Sequence, residues 1–289
     1  MMQQSPVHQV QDLASGGVSA DDPAWGRLGR WNPVLNLPNV AIHTHVLPNG
    51  KVLFWGRRDR PDGSLNEHEC TPQLWDPRTG EINSTPQPQL ADGTKVNLFC
   101  SGHAFLPDGR LLVAGGHITD SNGLNQACVY DFQTNSWTAL PLMNQGRWYP
   151  TATALADGRI LVLSGSFIKD GMTMINDLPQ IWDGQHWESA EHFVGLPLYP
   201  RVHVGPDGQV FMSGTNAQTY LLNTGETGTW TPLPPPGGIR RNGVREYAPS
   251  VMYDVGKVIY IGGGNSGTHR RTYCCGRGHR SRCESTGVA

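Results

Sequence analysis

The sequence predicts an all-β fold, a β-propeller with about five blades present, and three recurring features indicate it. A turn of Pro or Ala, then Asp or Asn, then Gly returns roughly every fifty residues, which is a period typical of propellers. An apolar strand follows the turn, and a Trp ends the unit in three copies. The high usage of Gly and Pro, 36 and 22 residues, suits short strands joined by tight turns and argues against a helical bundle.

The recurring turn predicts a hairpin in every unit. Asn-Gly and Asp-Gly supply the positive φ that tight hairpin turns require. The turn glycines are Gly50, Gly109, Gly158 and Gly208, with a degenerate fifth copy at Gly256.

The apolar run after each turn predicts a strand buried on both faces, as in blades that pack on neighbouring blades. An aromatic residue followed by Asp then marks a third strand, and a late Trp marks a fourth. Four strands per unit with a Gly-rich second strand and a late Trp resemble the kelch type of propeller. The apolar runs are Val52–Trp55, Leu111–Ala114, Ile160–Leu163 and 258–261, and the late tryptophans are Trp137, Trp187 and Trp230.

The repeats divide the chain into three parts. We expect residues 1–24 to form a flexible segment, residues 25–264 an incomplete kelch-like propeller, and residues 265–289 an irregular tail rich in Arg and Cys. Trp31 precedes the first full unit. It is interpreted as part of an outer strand that completes the last blade, with a loop aromatic as the alternative.

The tail has no alternation of apolar and polar residues. We interpret it as an out-of-frame read-through of a GC-rich gene. A basic nucleic-acid-binding tail is one alternative. A small zinc site is another, although adjacent cysteines do not match a standard Cys-x-x-Cys knuckle; its ligands would be Cys274, Cys275, Cys283 and His279.

Composition restricts the partners. A net charge of −2 with 16% charged residues gives no reason to expect nucleic acid or an anionic membrane as a partner. No apolar run approaches the roughly 18 residues of a membrane span. The N-terminus lacks the apolar stretch of a signal peptide, and six cysteines in a chain of 289 residues do not imply a disulfide framework. The compartment stays unknown.

One repeat position is expected to face the central channel. It precedes each turn glycine by the same number of residues and holds Cys100, Tyr149, Tyr199 and Tyr247, with Ala41 in the first unit. These side chains should ring one mouth of the channel. The alternative is that aromatic residues simply pack well where strands begin.

Histidines occur on the predicted inner strands. His43 and His45 lie on one face of the first such strand, and His203 occupies the equivalent of His45 in the fourth unit. A channel-lining metal site is conceivable, whereas hydrogen-bonded inner-strand histidines are the default.

Two segments resemble the motifs of the copper radical oxidases, the galactose oxidase and glyoxal oxidase family. They are residues 97–103, Asn-Leu-Phe-Cys-Ser-Gly-His, and residues 146–151, Gly-Arg-Trp-Tyr-Pro-Thr. The resemblance covers roughly residues 25 to 264. It implies a thioether between Cys100 and Tyr149, copper bound by the Tyr149 oxygen, and oxidation of a primary alcohol or aldehyde by dioxygen with release of hydrogen peroxide. It also suggests a secreted protein.

The resemblance assigns further residues by position. Phe167 falls near the place of the aromatic ring that shields the radical, and Tyr199 and Arg201 fall where the family contacts its substrate. The family also has a seven-bladed ring, a Tyr-His motif in a later blade, and a His from a C-terminal immunoglobulin-like domain. These are not found as motifs here. We therefore expect a truncated, inactive oxidase-type propeller. The rival hypothesis is a kelch-repeat binding module with Cys100 as a free thiol.

Overall fold

The computed structural model describes residues 29, 31, 33–60, 70–90, 92–225, 228–234, 243–264 and 284–287. The chain forms two compact units, Met1–Asn36 and Leu37–Ala289. The predicted flexible segment, residues 1–24, lies outside the described residues, as do the four proposed zinc ligands. The described residues of the smaller unit contain no strand, so they do not supply the predicted ring-closing strand at Trp31.

The larger unit is built of antiparallel sheets, and its described residues contain no helix. Four of the sheets have four strands each, as the repeat predicts. The first sheet consists of β1 (His43–Val46), β2 (Val52–Trp55), β3 (Gln73–Trp75) and β4 (Ile82–Ser84).

The second and third sheets each carry an additional hairpin after their second strand. The second sheet has β5 (Gly102–Phe105), β6 (Leu111–Ala114), β9 (Ala127–Asp131) and β10 (Ser136–Ala139), with the hairpin β7 (His117–Thr119) and β8 (Asn122–Gly123). The third has β11 (Thr151–Ala154), β12 (Ile160–Leu163), β15 (Gln180–Trp182) and β16 (Trp187–Ser189), with the hairpin β13 (Ser166–Lys169) and β14 (Met172–Ile175).

The fourth sheet repeats the four-stranded plan, and the fifth is shorter. The fourth has β17 (Arg201–Val204), β18 (Val210–Gly214), β19 (Tyr220–Leu222) and β20 (Trp230–Pro232). The fifth has β21 (Ser250–Asp254), β22 (Lys257–Tyr260) and β23 (Glu284–Gly287). Strand β23 pairs with β22, so these four residues, which lie in the predicted irregular tail, are extended.

The first strands of neighbouring sheets pack together. Strand β11 contacts both β5 and β17, so the first strands face the common centre and the fourth strands lie outside. The all-β, kelch-like propeller is therefore confirmed, while the number of blades in a complete ring stays a prediction.

The predicted turns occur where the repeat places them, and the runs of the second and third sheets are buried as predicted. The run 258–261 is only partly buried, because Ile261 is 45% exposed. All five turn glycines have positive φ, and the Gly109 N–H donates to the Leu106 carbonyl at 2.9 Å. Every residue of β6 and β12 is buried. These strands lie in the apolar layers between sheets. No helix of the described residues is long and apolar enough to cross a membrane.

Candidate active site

The predicted inner position has the same unusual backbone in four sheets. Cys100, Tyr149, Tyr199 and Tyr247 have φ values of 63°, 64°, 45° and 57°. The left-handed region is uncommon for residues other than Gly and is costly for bulky ones. A conformation that recurs at four equivalent positions is therefore part of the repeat, and it sets the direction in which each side chain leaves the strand.

Hydrogen bonds connect these positions from sheet to sheet. The Tyr149 N–H donates to the Cys100 carbonyl at 2.9 Å, and the Tyr199 N–H donates to the Tyr149 carbonyl at 2.8 Å. The Cys100 N–H donates instead to a side chain, Nε2 of His43, at 3.2 Å. We name Cys100, Tyr149, Tyr199 and Tyr247 the inner ring.

The structure brings the predicted thiol and phenol together. Cys100 is buried, its carbonyl accepts the Tyr149 N–H at 2.9 Å, and each of the two side chains influences the pKa of the other. Burial raises the pKa of the Cys100 thiol well above its usual value, and the interaction with Tyr149 offsets part of that rise. Burial and the neighbouring Cys100 likewise raise the pKa of the Tyr149 phenol. Both groups are therefore protonated at neutral pH.

Trp148 and Tyr199, rather than Phe167, cover the ring of Tyr149. The centroids of the Trp148 and Tyr149 rings lie 3.5 Å apart at an interplanar angle of 7°, and Tyr199 stacks at 4.4 Å. Phe167 lies on β13 opposite Met174, and none of the described ring contacts of Tyr149 involves it. Successive side chains of a regular strand point to opposite faces. The left-handed backbone at Tyr149 breaks that alternation and allows its neighbour in sequence to stack on it.

The additional hairpins hold Trp148 in place. Its indole N–H donates to Nδ1 of His117, a buried residue of β7, at 3.1 Å. Its backbone N–H and carbonyl pair with Ser166 at the start of β13, at 2.9 and 2.8 Å. Trp148 lies within the motif Gly-Arg-Trp-Tyr-Pro-Thr, residues 146–151. The repeat in the sequence does not predict the direction in which its side chain points.

A buried arginine fixes the segment that carries Tyr149. The guanidinium of Arg147 is fully buried and contacts no carboxylate among the described residues. Burial lowers the pKa of Arg147 to about 9. It donates to carbonyl and amide oxygens: Ser164 O at 2.8 Å, Leu178 O at 2.7 Å, Asn144 Oδ1 at 3.1 Å and Gln180 Oε1 at 3.2 Å.

A cavity of about 390 Å³ opens beside the inner ring. Three inner-ring tyrosines line it, together with Arg201, whose Nε donates to the Ala248 carbonyl at 2.8 Å. The two residues predicted to contact substrate, Tyr199 and Arg201, thus lie in one cavity with Tyr149. We name this space the tyrosine cavity. It is lined by Tyr149, 195–199, Arg201, Thr215, Asn216, Glu246 and Tyr247.

The inner-strand histidines form a buried cluster that meets the inner ring where His43 accepts the Cys100 N–H. Nδ1 of His43 lies 3.1 Å from Nε2 of His103, and the rings of His45 and His103 lie 4.2 Å apart. Burial lowers the pKa of His43, His45 and His103 to about 3, 2 and 4. No group of three or more His, Cys, Asp or Glu within the described ranges could hold a metal ion. The bonds of His43 to His103 and to the Cys100 N–H agree with the hydrogen-bonded interpretation, and His203 likewise bonds Ser250 Oγ at 2.9 Å.

The site fits a thiol–phenol cross-link better than a complete copper centre. Imidazole and phenolate ligands suit a tetragonal copper ion, but the tyrosine cavity has no histidine among its lining residues. Of the predicted ligands, the described residues supply the Tyr149 oxygen. The described geometry therefore supports no reaction step that involves copper.

Comparison with known proteins confirms the resemblance to the galactose and glyoxal oxidase-like copper radical oxidases. Within that class the chain belongs to the family described as Glyoxal oxidase N-terminus, which matches residues 42–243.

Individual proteins show the same relationship. A galactose oxidase of Gibberella zeae is 27% identical over 276 residues, which is 89% of this chain and 38% of the relative. The aldehyde oxidase GLOX of Vitis pseudoreticulata is 26% identical over 200 residues, 63% of this chain and 34% of the relative. This chain thus spans well under half the length of these relatives.

A solved structure has the same fold. A fungal alcohol oxidase of the AA5 family, in complex with copper, superposes with a TM-score of 0.65 at 24% identity, over 81% of this chain and 50% of that one.

Proposed function

We propose that Cys100 and Tyr149 form a cross-linked redox cofactor. We propose further that, in a complete copper site, this cofactor would serve the oxidation of a primary alcohol or aldehyde by dioxygen, which yields hydrogen peroxide. The observation that carries the proposal is the placement of a buried thiol and a stacked phenol at neighbouring inner positions. The Tyr149 N–H donates to the Cys100 carbonyl at 2.9 Å, and both residues have a left-handed backbone. Ordinary packing accounts for a buried thiol or for a stacked tyrosine taken separately. It does not account for the occurrence of both at equivalent positions of adjacent sheets.

Each described residue has a defined part in this proposal. Tyr149 would bind copper through its oxygen, Cys100 would be bonded through sulfur to its ring, and Trp148 would shield that ring from solvent through the observed stack. Copper, when bound, supplies one of the two oxidising equivalents that the reaction needs. Tyr199 and Arg201 would contact substrate, because both line the tyrosine cavity with Tyr149.

The cross-link is tested by intact mass. Its formation breaks the S–H bond of Cys100 and one ring C–H bond of Tyr149 and makes a C–S bond. The two electrons and two protons pass to dioxygen, giving hydrogen peroxide. After exposure to Cu(II) and air we expect a loss of two hydrogen atoms. A disulfide among the six cysteines would cause the same loss, so the protein is fully reduced before measurement, because a thioether survives reduction.

Matched variants assign the bond. Cys100→Ser and Tyr149→Phe should show no loss after reduction. Cys128→Ser should behave as the parent protein, because Cys128 is a buried thiol of the second sheet that does not line the tyrosine cavity. An unchanged mass in the parent protein would contradict the cofactor and favour the rival hypothesis, a kelch-repeat binding module with a free Cys100.

We propose in addition that the described residues alone do not complete an active oxidase, because their cavity offers copper three phenols and a carboxylate but no imidazole. Peroxide release from the copper-loaded chain, measured with a panel of primary alcohols and aldehydes, tests this separately. We expect none. Turnover that is lost in Tyr149→Phe would show that the remaining ligands lie among residues outside the described ranges.

A further inference from the structure

His117 contacts both halves of the proposed cross-link site. It is buried at the start of β7, the first strand of the additional hairpin in the second sheet. Its Nδ1 accepts the indole N–H of Trp148 at 3.1 Å, and its backbone N–H donates to the Asn97 carbonyl at 3.0 Å. Trp148 stacks on Tyr149, and Asn97 lies three residues before Cys100. One residue therefore connects the ring that covers the phenol to the segment that carries the thiol.

The backbone of the segment that carries Trp148 has little freedom. The Arg147 N–H donates to the Leu124 carbonyl at 2.9 Å, and the Arg147 carbonyl accepts the Gly116 N–H at 3.2 Å. Trp148 exchanges both of its backbone hydrogen bonds with Ser166. The torsions of the Trp148 side chain are the freedom that remains, so the direction of the indole depends on side-chain contacts.

Two contacts of the Trp148 indole set that direction. The ring stacks on Tyr149 with the centroids 3.5 Å apart, and the N–H bonds to His117. An indole N–H can only donate a hydrogen bond, so the Nδ1 atom that receives it is unprotonated. Leaving a donor without an acceptor inside the protein is costly. Loss of the acceptor would therefore favour rotamers of Trp148 in which the N–H reaches water and the stack on Tyr149 is lost.

The stack matters for the cross-link because the reaction joins two particular atoms. The S–H bond of Cys100 and one ring C–H bond of Tyr149 are replaced by a C–S bond, and dioxygen takes up the two electrons and two protons. Such a reaction is faster when the reacting atoms are held in alignment. A Tyr149 ring held against Trp148 keeps one orientation, whereas an uncovered ring can turn about its side-chain bonds.

We propose that His117 is a positioning residue for the cross-link between Cys100 and Tyr149, an inference that rests on the function proposed above. His117 acts through Trp148: its Nδ1 holds the indole against the phenol, and its backbone bond to Asn97 keeps that indole in place relative to the segment of Cys100. The role requires a hydrogen-bond acceptor at the position of Nδ1, rather than the bulk of the imidazole ring.

The test follows the rate of the mass loss after Cu(II) and air are added to the whole chain, with each sample fully reduced before measurement. His117→Leu keeps a branched side chain and removes the acceptor, so it should slow the loss of two hydrogen atoms about fivefold. His117→Asn should restore most of the rate, because Oδ1 of Asn, like Nδ1 of His, is bonded to Cγ and accepts a hydrogen bond. A packing role of the imidazole would not be rescued by this smaller side chain.

The matched control is Trp187→Phe, which removes an indole hydrogen bond at the outer edge of the third sheet and should leave the rate unchanged. The Trp148 indole N–H gives a second measurement, as one of nine indole resonances in the ¹⁵N-labelled protein. Its absence in Trp148→Phe assigns it. In the copper-free protein its hydrogen should exchange with deuterium oxide faster in His117→Leu than in the parent protein or in His117→Asn.

The outcomes separate this inference from the function on which it rests. A cross-link that forms at the same rate in the parent protein and in His117→Leu would overturn the role of His117 and leave the cofactor unaffected. An equally slow rate in His117→Leu and His117→Asn would overturn it too, because the ring would then act by packing alone. Unchanged exchange of the Trp148 resonance in His117→Leu would also overturn it. A parent protein that forms no cross-link would contradict the proposed function, and this inference with it.

Discussion

The inner ring and the outer tryptophans occupy opposite ends of the same repeat and differ in what they keep constant. At the inner ring the backbone is constant, with positive φ in four sheets, while the side chain changes from Cys100 to tyrosine. At the outer strands of the second, third and fourth sheets the side chain is constant, and Trp137, Trp187 and Trp230 serve as packing residues, whereas the first sheet has Ile82 at this position. Positive φ is costly for residues other than Gly. A repeat position that keeps this conformation while its side chain varies can therefore carry residues with a chemical function.

The two regions are also stabilised differently. The inner ring is supported by buried polar groups, Arg147 and His43, that bond backbone atoms near Tyr149 and Cys100. The outer tryptophans pack on aromatic rings of the third strand, as Trp187 does on Trp182 at 5.2 Å. Stability near the inner ring should therefore depend on hydrogen bonds and pH, and stability at the outer edge on packing.

The strongest test of this contrast is Arg147→Met. The change leaves the buried Ser164 and Leu178 carbonyls without their donor, and we expect a loss of about 3–5 kcal/mol in the free energy of unfolding. Guanidinium chloride unfolding measures it. Arg110→Met, which removes an exposed pair with Asp108, should change stability by less than about 0.5 kcal/mol. If Arg147→Met lowered the free energy of unfolding by no more than Arg110→Met does, Arg147 would not stabilise the segment that carries Tyr149.

The next test is the pH dependence of unfolding. The pKa values of His43, His45 and His103, about 3, 2 and 4, are lowered by burial, so below pH 6.5 the unfolded chain binds protons that the folded chain does not. Stability should therefore fall as the pH falls, by about 1 kcal/mol per imidazole between pH 7 and 5.5. Urea unfolding across this range measures the decline.

Two comparisons isolate the histidines. His45→Leu should reduce the decline by about a third. Carboxylates such as Asp76, whose pKa is lowered by its hydrogen bonds with Arg78, lose their stabilising effect only at lower pH. A stability that is constant from pH 7 to 5.5 would show that the cluster does not stay neutral on folding.

Separate replacement of His43 and His45 compares how much each histidine contributes to the free energy of unfolding. His43 accepts the Cys100 N–H and bonds His103, whereas Nε2 of His45 is buried without a partner. At pH 8 His43→Leu should therefore cost about 1–3 kcal/mol more than His45→Leu. Chemical unfolding of the two variants measures the difference, and equal costs would show that the bond to Cys100 contributes little.

Sequence reasoning found the features that local chemistry determines. Turn glycines such as Gly109 need positive φ, and the alignment of turns placed Cys100 and Tyr149 at equivalent positions, which the structure brings together. The stack of Trp148 on Tyr149 was missed, because alternation along a strand assumes a regular backbone, and the left-handed residue breaks it.

The turn between Pro88 and Val96 was missed for a related reason. The additional residues between Ser84 and Cys100 belong to no period, so the repeat does not predict the turn that they form, in which the Val96 N–H donates to the Pro88 carbonyl. The identity of Trp137 as a late tryptophan was predicted correctly, but whether its N–H finds a carbonyl depends on the length of a linker from another sheet.

The smallest predicted effect separates the outer tryptophans from one another. Trp187→Phe removes a hydrogen bond to the Pro141 carbonyl, so it should cost about 1 kcal/mol in the free energy of unfolding. Trp137→Phe removes an N–H that has no partner, so it should be close to neutral while the aromatic packing on Tyr130 is kept. Parallel urea unfolding of both variants measures the difference. If Trp137→Phe cost as much as Trp187→Phe, the indole of Trp137 would have a partner in solution, and the outer edge would be uniform along the repeat.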